Sequence, residues 1–328
     1  MILVTGGAGY IGSHVVKLLL DSNFEVLVID NLSTGFKKAV DNRAIFVEAD
    51  LGNKEELDKM FIKFNITGVI HFAASAYVGE SVLKPQKYYK NNVITTINLL
   101  EAMLSHKVEK IIFSSSCAVY GNPTGQVIIE TEKNNPINPY GHTKLICEKI
   151  LENYSRAYNL TYINLRYFNV AGGHPTGVIG EYHNPETHLI PRVLEHLLGK
   201  YKDIRIFGND YPTKDGTCIR DYIHVMDLAE AHKLALVALL KNHTINEVFN
   251  LGIGKGYSVK EVISKCEEVS GIKANIRYEN RRIGDPAMLV ASADKAKNEL
   301  GWVPKYDINH MVSSAWKWHQ NNPNGYTT

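Results

Sequence analysis

Gly6, Gly9 and Gly12 recur at every third position between a β-branched run, Ile2–Thr5, and a stretch with helical spacing of apolar residues, Tyr10–Leu20. A strand, a glycine turn and a helix in that order constrain this chain more than any other feature it has. The first glycine allows the tight turn, the second lets a pyrophosphate approach backbone N–H groups, and the third lets helix and strand pack closely. The pattern predicts dinucleotide binding. The next strand, Glu25–Ile29, runs into Asp30, about 20 residues past the loop, where an acid accepts hydrogen bonds from the adenosine ribose. Such an acid repels a 2′-phosphate and so favours NAD over NADP. Lys37 and Lys38 nearby read as a solvated loop face.

Beyond the loop, strand-like and helix-like segments alternate. Ala44–Glu48, Gly68–Phe72, Lys110–Ser114 and Thr161–Leu165 read as further strands, and Lys54–Phe64, Gln86–Leu104 and Thr143–Tyr158 as helices. The strands are nearly continuous in apolar residues, as expected where helices cover both faces of a parallel sheet. The fold class is therefore α/β: a doubly wound parallel-sheet (Rossmann) NAD domain over residues 1–169, followed by a smaller α/β substrate domain over 170–328. The texture changes at a glycine-rich loop, Ala171–Asn184, after which come helices at Pro191–Gly199, Val225–Leu240, Val259–Ser270, Asp294–Leu300 and His310–His319. A second glycine cluster, Gly252, Gly254 and Gly256, has Tyr257 where a further small residue would be needed. It reads as a turn, with Ser258 capping the helix that follows.

Length supports two domains, since 328 residues is about twice a 150-residue domain. A net charge of +2 and the absence of a basic run argue against a nucleic-acid partner. The longest apolar run, Leu234–Leu240, is far short of a membrane span. No signal peptide is expected, because Ile2 already starts a strand. The four cysteines lie far apart without a C-x-x-C pair, which suits reduced thiols in the cytoplasm.

The candidate catalytic residues cluster around the strand Lys110–Ser114 and the helix after it. Ser116 follows the strand, and Tyr140 and Lys144 stand at i and i+4, on one face of a helix. With Ser116 and Tyr140-x-x-x-Lys144 the chain resembles the extended short-chain dehydrogenase/reductase family. Further motifs bring it close to the UDP-glucose 4-epimerases within that family. They are Val78–Ser81, Leu165–Asn169, Ile206–Thr213, Asp215–Thr217, Arg220–Asp227, and Arg281-Arg282 with Gly284-Asp285. The resemblance runs from Ile2 to Gly325-Tyr326.

What the resemblance implies is specific. NAD oxidises the sugar at C4 and returns the hydride to the opposite face, so that UDP-glucose and UDP-galactose interconvert through a 4-keto sugar. Tyr140 is the base at the 4-hydroxyl and Ser116 hydrogen-bonds the same oxygen. A free tyrosine titrates near 10, too high for this task. A cation about 4 Å away contributes roughly 4 kcal/mol at an effective dielectric of about 20, or about three pKa units. Lys144 together with a positive nicotinamide is thus expected to hold Tyr140 partly as phenolate. Cofactor contacts carried over are Tyr10, Ile11, Asp30, Asn31, Asp50, Leu51, Phe72, Ala73, Ala74, Asn91 and Phe168, besides Gly6, Gly9 and Gly12. Ala76 stands where some epimerases have a lysine. A homodimer, and a return of the chain to the NAD domain near residues 220–240, are also implied.

For the UDP-hexose, arginine forks suit a pyrophosphate because they pair bidentately with its oxygens. The resemblance assigns Arg220 and Arg282 to this, with Tyr222 and Asp285 beside them. Asn169, His188, Leu189, Arg205, Ile206 and Phe207 line the uridine and sugar. Leu289 aligns with a pocket position where a bulky tyrosine often accompanies restriction to glucose and galactose, so UDP-N-acetylglucosamine is expected to fit as well. Glu181, His183, Glu186 and His188 fit no standard zinc spacing, and no metal is expected. The alternatives are a 4-epimerase of another UDP-sugar (a uronic acid or pentose), a nucleotide-sugar dehydratase or a non-catalytic NAD sensor. A dehydratase would need an acid/base pair where this chain has Cys117 and Ala118. A sensor would not need Tyr140, Lys144 and Ser116 together.

Overall fold

Leu3 and Val4 are adjacent in one strand, so their side chains point to opposite faces, and both are fully buried. That requires helices on both sides of the sheet, and the computed structural model has this arrangement. It describes residues 1–123, 125, 127–241, 245–282 and 285–326; Gly284, quoted above with Asp285, lies outside them. The first strands are β1 (Ile2–Thr5), β2 (Val26–Asp30), β3 (Ile45–Glu48), β4 (Gly68–His71), β5 (Lys110–Ser116) and β6 (Thr161–Tyr167). β7 (Asn169–Ala171), β8 (Ile204–Phe207) and β9 (Ile219–His224) leave the first sheet, and β10 (Asn246–Leu251) rejoins it. The sheet is parallel throughout in the order β10-β6-β5-β4-β1-β2-β3. Apart from β10 this is the doubly wound order, with its switch point between β1 and β4.

Helices α1 (Tyr10–Asp21), α2 (Lys54–Lys63), α3 (Val78–Leu83), α4 (Pro85–Tyr88), α5 (Thr95–Ser105) and α6 (Pro139–Tyr158) belong to this half. Leu57 and Phe61 of α2, Leu99 and Met103 of α5 and Leu151 of α6 pack on Leu3, Leu27 and Ile111. α7 (Leu189–Leu197) comes next, and α8 (Val225–Lys241) then joins α1 on the other face, over Val4, Val28, Ile112 and Leu165. The chain's return, expected near 220–240, therefore runs on through β10. Trp302 belongs to the same core and donates its indole N–H to the Asp227 carbonyl at 2.8 Å.

Two helices differ from the sequence reading. The expected Gln86–Leu104 helix is interrupted by a π-turn, Tyr89–Ile94, between α4 and α5. Such turns often mark functional positions, and this one carries Asn91 and Asn92. The helix expected to start at Thr143 begins at Pro139, because the Asn138 side chain caps the Gly141 N–H at 2.9 Å. Tyr140 thus lies in its first turn.

The smaller half packs α7, α9 (Val259–Ser270) and α11 (Ile308–Asn321) around Val193, Leu194, Val262, Ile263, Met311 and Val312. α10 (Asp294–Leu300) lies between α9 and α11 in the chain. Strand β9 is flanked by β11 (Gly256–Ser258) and β13 (Met288–Leu289), and β8 pairs with β12 (Ile276–Glu279). Among the described residues no helix is long and apolar enough to cross a membrane.

A buried ion pair ties α6 to the sheet. Arg166 of β6 donates from Nε to Glu148 Oε1 at 2.8 Å and pairs again through its second fork nitrogen, with 4% and 5% of the two side chains exposed. Ser115 of β5 donates to the same carboxylate at 2.5 Å, and Tyr120 accepts from Arg166 at 3.0 Å. Removing one partner leaves the other charge buried and unpaired. Arg166→Met is expected to cost about 3–5 kcal/mol in urea unfolding, whereas a surface pair such as Lys149–Glu152 should cost under about 1 kcal/mol.

Candidate active site

At the end of β1 the chain turns through Gly6, whose φ is +74° and whose missing Cβ would lie 2.5 Å from the Ala73 nitrogen. A Cβ on Gly12 would lie 2.3 Å from the Gly6 carbonyl oxygen, so the start of α1 sits directly on the turn. Gly9 is the N-cap of α1; no side chain caps it and no acid lies in the first turn. The first N–H groups of α1 thus lack a side-chain acceptor, and the positive end of the helix dipole faces outward. Asp30 at the end of β2 braces this turn: its Oδ2 accepts from Ala8 N–H at 3.0 Å and its Oδ1 from Leu32 N–H at 2.9 Å. Burial raises its pKa above the usual aspartate value.

Most of the other expected cofactor positions follow the ends of β2, β3, β4 and β6. Asn31 donates to Asp50 at 2.7 Å, and Leu51 is buried behind them. The Phe72 and Ala73 N–H groups both donate to the Thr5 carbonyl, at 2.9 and 3.2 Å. Ala74 is partly buried, and Phe168 is buried on Val119 and Tyr120. In the π-turn Asn91 donates to Ser75 Oγ at 3.0 Å. Its neighbour Asn92 clamps the Ser75 backbone and donates to Thr143 on α6. Sequence reasoning missed Asn92; an asparagine pair inside an expected helix was the available signal, since asparagine competes for backbone hydrogen bonds.

Ser116, Tyr140 and Lys144 converge where β5 ends against the first turns of α6. Ser116 lies close enough to the Tyr140 hydroxyl to work against the effect of burial on it, and it accepts from Ala118 N–H at 3.2 Å. Lys144 Nζ lies 5.9 Å from the Tyr140 ring centroid and donates to the Ser114 carbonyl at 2.6 Å. Burial pushes Tyr140 up to about 12 and Lys144 down to about 8. Burial thus opposes the depression expected from Lys144.

On the facing side, β9 sets Arg220 beside Leu289, its register partner on β13, and Tyr222 beside Asn169 on β7. Arg220 pairs with Asp285. Arg282 stacks on the Phe207 ring at 4.0 Å. Along β8 the alternation turns Ile206 into the small core, while Arg205 is exposed and has Asp203 3.9 Å away. Asp221 went unnoticed in the sequence: its buried carboxylate accepts from Ile253, Gly254 and Ala291 N–H groups. The second glycine cluster is thus wrapped around an internal acid. Ser258 caps the next helix as expected, with Glu261 completing the capping box.

His188 caps α7 and Leu189 begins it. His188 and His183 both meet Glu181 and Glu186, the four residues whose sequence spacing fits no standard zinc pattern. Burial raises Glu181, and against burial the two carboxylates lift His188 to about 9. The rings of His183 and His188 pack on Tyr77 at 6.1 and 6.5 Å.

The chain matches the GDP-mannose 4,6 dehydratase family over residues 3–315. It is 52% identical over 328 residues to a UDP-glucose 4-epimerase of Halalkalibacterium halodurans, covering 100% of this chain and 98% of that one. The Brucella ovis UDP-glucose 4-epimerase, crystallised in complex with NAD, superimposes with a TM-score of 0.93 at 47% identity, covering 96% of this chain and 97% of that one. The UDP-Glc/GlcNAc 4-epimerase of Campylobacter jejuni does so with a TM-score of 0.85 at 43% identity, over 98% and 99% of the two chains. Cys117 and Ala118 stand beside Ser116, without the acid/base pair of a dehydratase. The chain belongs to the UDP-glucose 4-epimerases of the extended short-chain dehydrogenase/reductase family.

Proposed function

We propose that this chain is an NAD-dependent epimerase that interconverts UDP-glucose and UDP-galactose at C4. The observation that carries the reading is the convergence of Ser116, at the end of β5, with Tyr140 and Lys144 on α6, Lys144 Nζ lying 5.9 Å from the Tyr140 ring, in a chain similar end to end to UDP-glucose 4-epimerases.

The residues present fit NAD. The N-terminus of α1, free of a side-chain cap, suits a pyrophosphate, and Gly6 and Gly12 leave no room for side chains that would crowd it. Asp30 and Asn31 suit the adenosine ribose, Asp50 and Leu51 the adenine side, and Phe72, Ala73, Ala74, Asn91 and Phe168 the remaining length. Lys37, drawn to within 5.5 Å of the Phe46 ring centroid, is engaged without a 2′-phosphate. NAD supplies the hydride acceptor for sugar C4 and the hydride returned to its other face.

Tyr140 takes the proton of the 4-hydroxyl as the C4 hydrogen leaves, and gives it back when the alcohol re-forms. Ser116 holds the same oxygen. Lys144 contributes a buried positive charge near the phenol, and the positive nicotinamide of bound NAD would add to it. Arg220, steered by Asp285, and Arg282 clamp the pyrophosphate. Tyr222, Asn169, His188, Leu189, Arg205, Ile206 and Phe207 form the uridine and sugar walls. Leu289 beside Arg220 leaves space for an N-acetyl group, so UDP-N-acetylglucosamine is a second substrate. The chain acts in the cytoplasm, in keeping with its four free thiols. It forms a homodimer, in keeping with exposed Val78, Val82, Leu83 and Ile94 around α3 and the π-turn.

Three measurements test this reading. Tyr140→Phe is expected to lower kcat for UDP-galactose about 10³-fold with its NAD content intact; retained activity would remove Tyr140 as the base. Gly12→Ala should weaken NAD binding at least about tenfold by calorimetry, because its Cβ pushes into Gly6. Leu289→Tyr should cut kcat/KM for UDP-N-acetylglucosamine at least about tenfold while sparing UDP-glucose. Equal losses for both sugars would refute the pocket argument.

A further inference from the structure

Glu181, His183, Glu186 and His188 lie on the segment that leads into α7, and each brings one ligand atom to within 4.8 Å of the others. His183 Nδ1 is 3.5 Å from Glu181 Oε1 and 3.2 Å from Glu186 Oε2. His188 Nδ1 is 3.2 Å from Glu181 Oε1 and 3.0 Å from Glu186 Oε1. Donor atoms about 2.0–2.1 Å from a tetrahedral centre are about 3.3 Å apart; the four nitrogen–oxygen separations bracket that value, with Glu186 meeting His183 through Oε2 and His188 through Oε1.

Hydrogen bonding accounts for only half of this arrangement. Each Nδ1 carries at most one proton, so two imidazoles can make two good hydrogen bonds among four nitrogen–oxygen contacts. Both carboxylates are removed from water, with 4% and 2% of their side chains exposed, which is costly for two like charges side by side. One divalent cation at the centre would serve all four groups at once. The carboxylate of Glu186 is already held for such a role: its Oε1 accepts from the N–H groups of Thr187 and His188 at 2.7 and 2.8 Å. Oriented ligands of this kind are what a metal site needs behind its donors.

We propose that these four side chains bind one Zn²⁺ ion. Two imidazole nitrogens and two carboxylate oxygens form a set that suits zinc, and four protein ligands close the tetrahedron, which makes the site structural. It staples the loop to the start of α7 and so fixes His188 and Leu189, the residues read above as sugar and uridine walls. The spacing E-x-H-x-x-E-x-H escapes the usual zinc patterns because the donors come from a loop rather than from one helix face.

The test uses tag-free protein, stripped with a chelator and titrated with Co²⁺, whose tetrahedral complexes have intense visible bands. One equivalent of Co²⁺ per chain with such bands, displaced by one equivalent of Zn²⁺, is expected. Glu181→Gln and His183→Gln should each weaken Co²⁺ binding at least tenfold, with NAD content and the circular dichroism melt confirming that each variant is folded. If only one variant folds, its weakened binding suffices. The proposal is overturned if the wild-type chain gives no tetrahedral bands, or if a folded variant binds Co²⁺ as tightly as the wild type.

Discussion

The catalytic groups sit on two elements that have no covalent reason to keep their relative positions, and the Arg166–Glu148 pair holds them. Glu148 is one helical turn beyond Lys144 on α6, Ser115 precedes Ser116 on β5, and Arg166 lies on β6. Because one carboxylate receives both Arg166 and Ser115, α6 cannot slide or rotate on the sheet without leaving a buried charge unpaired. The placement of Ser116 beside Tyr140 follows from that lock. So does the Lys144–Ser114 bond, which runs between the same helix and strand.

A second buried acid does similar work in the other half. Asp221 collects three backbone N–H groups from Ile253, Gly254 and Ala291, and burial raises its pKa to about 6. It follows Arg220 directly on β9. The strand that aims the arginine at the substrate side is thereby fastened to the turn after β10, which belongs to the cofactor sheet. The two halves are thus joined by a hydrogen-bonded acid as well as by the chain, and Arg220 is set relative to the cofactor sheet.

Much of this was legible in residue order. Gly6, Gly12, Asp30, Ser116, Tyr140 and Lys144 were readable because short-range geometry dictates their types: a positive φ, a close approach, a strand end, an i,i+4 pair. Ser258 was readable as a cap for the same reason. Asn92, Asp221 and the Glu148–Arg166 pair were not, since their partners lie 17 to 70 residues away, on elements whose packing angle no local pattern encodes. The acid and histidine cluster was visible as four residues. Its separation from the usual zinc spacings hid the convergence of their donor atoms.

Residue order alone thus determined a dinucleotide turn, a doubly wound parallel sheet and a Ser-Tyr-Lys constellation, because strand, turn and helix periods are local and the backbone has few ways to satisfy them. Tertiary structure decided what those groups are in solution chemistry. It put Tyr140 in a buried pocket that raises its pKa, committed the Lys144 ammonium to a carbonyl, broke a helix with a π-turn at Asn91, and sent the chain back to the sheet through β10. Burial and hydrogen-bond partners come from distant segments, and proton affinity depends on them more than on residue type.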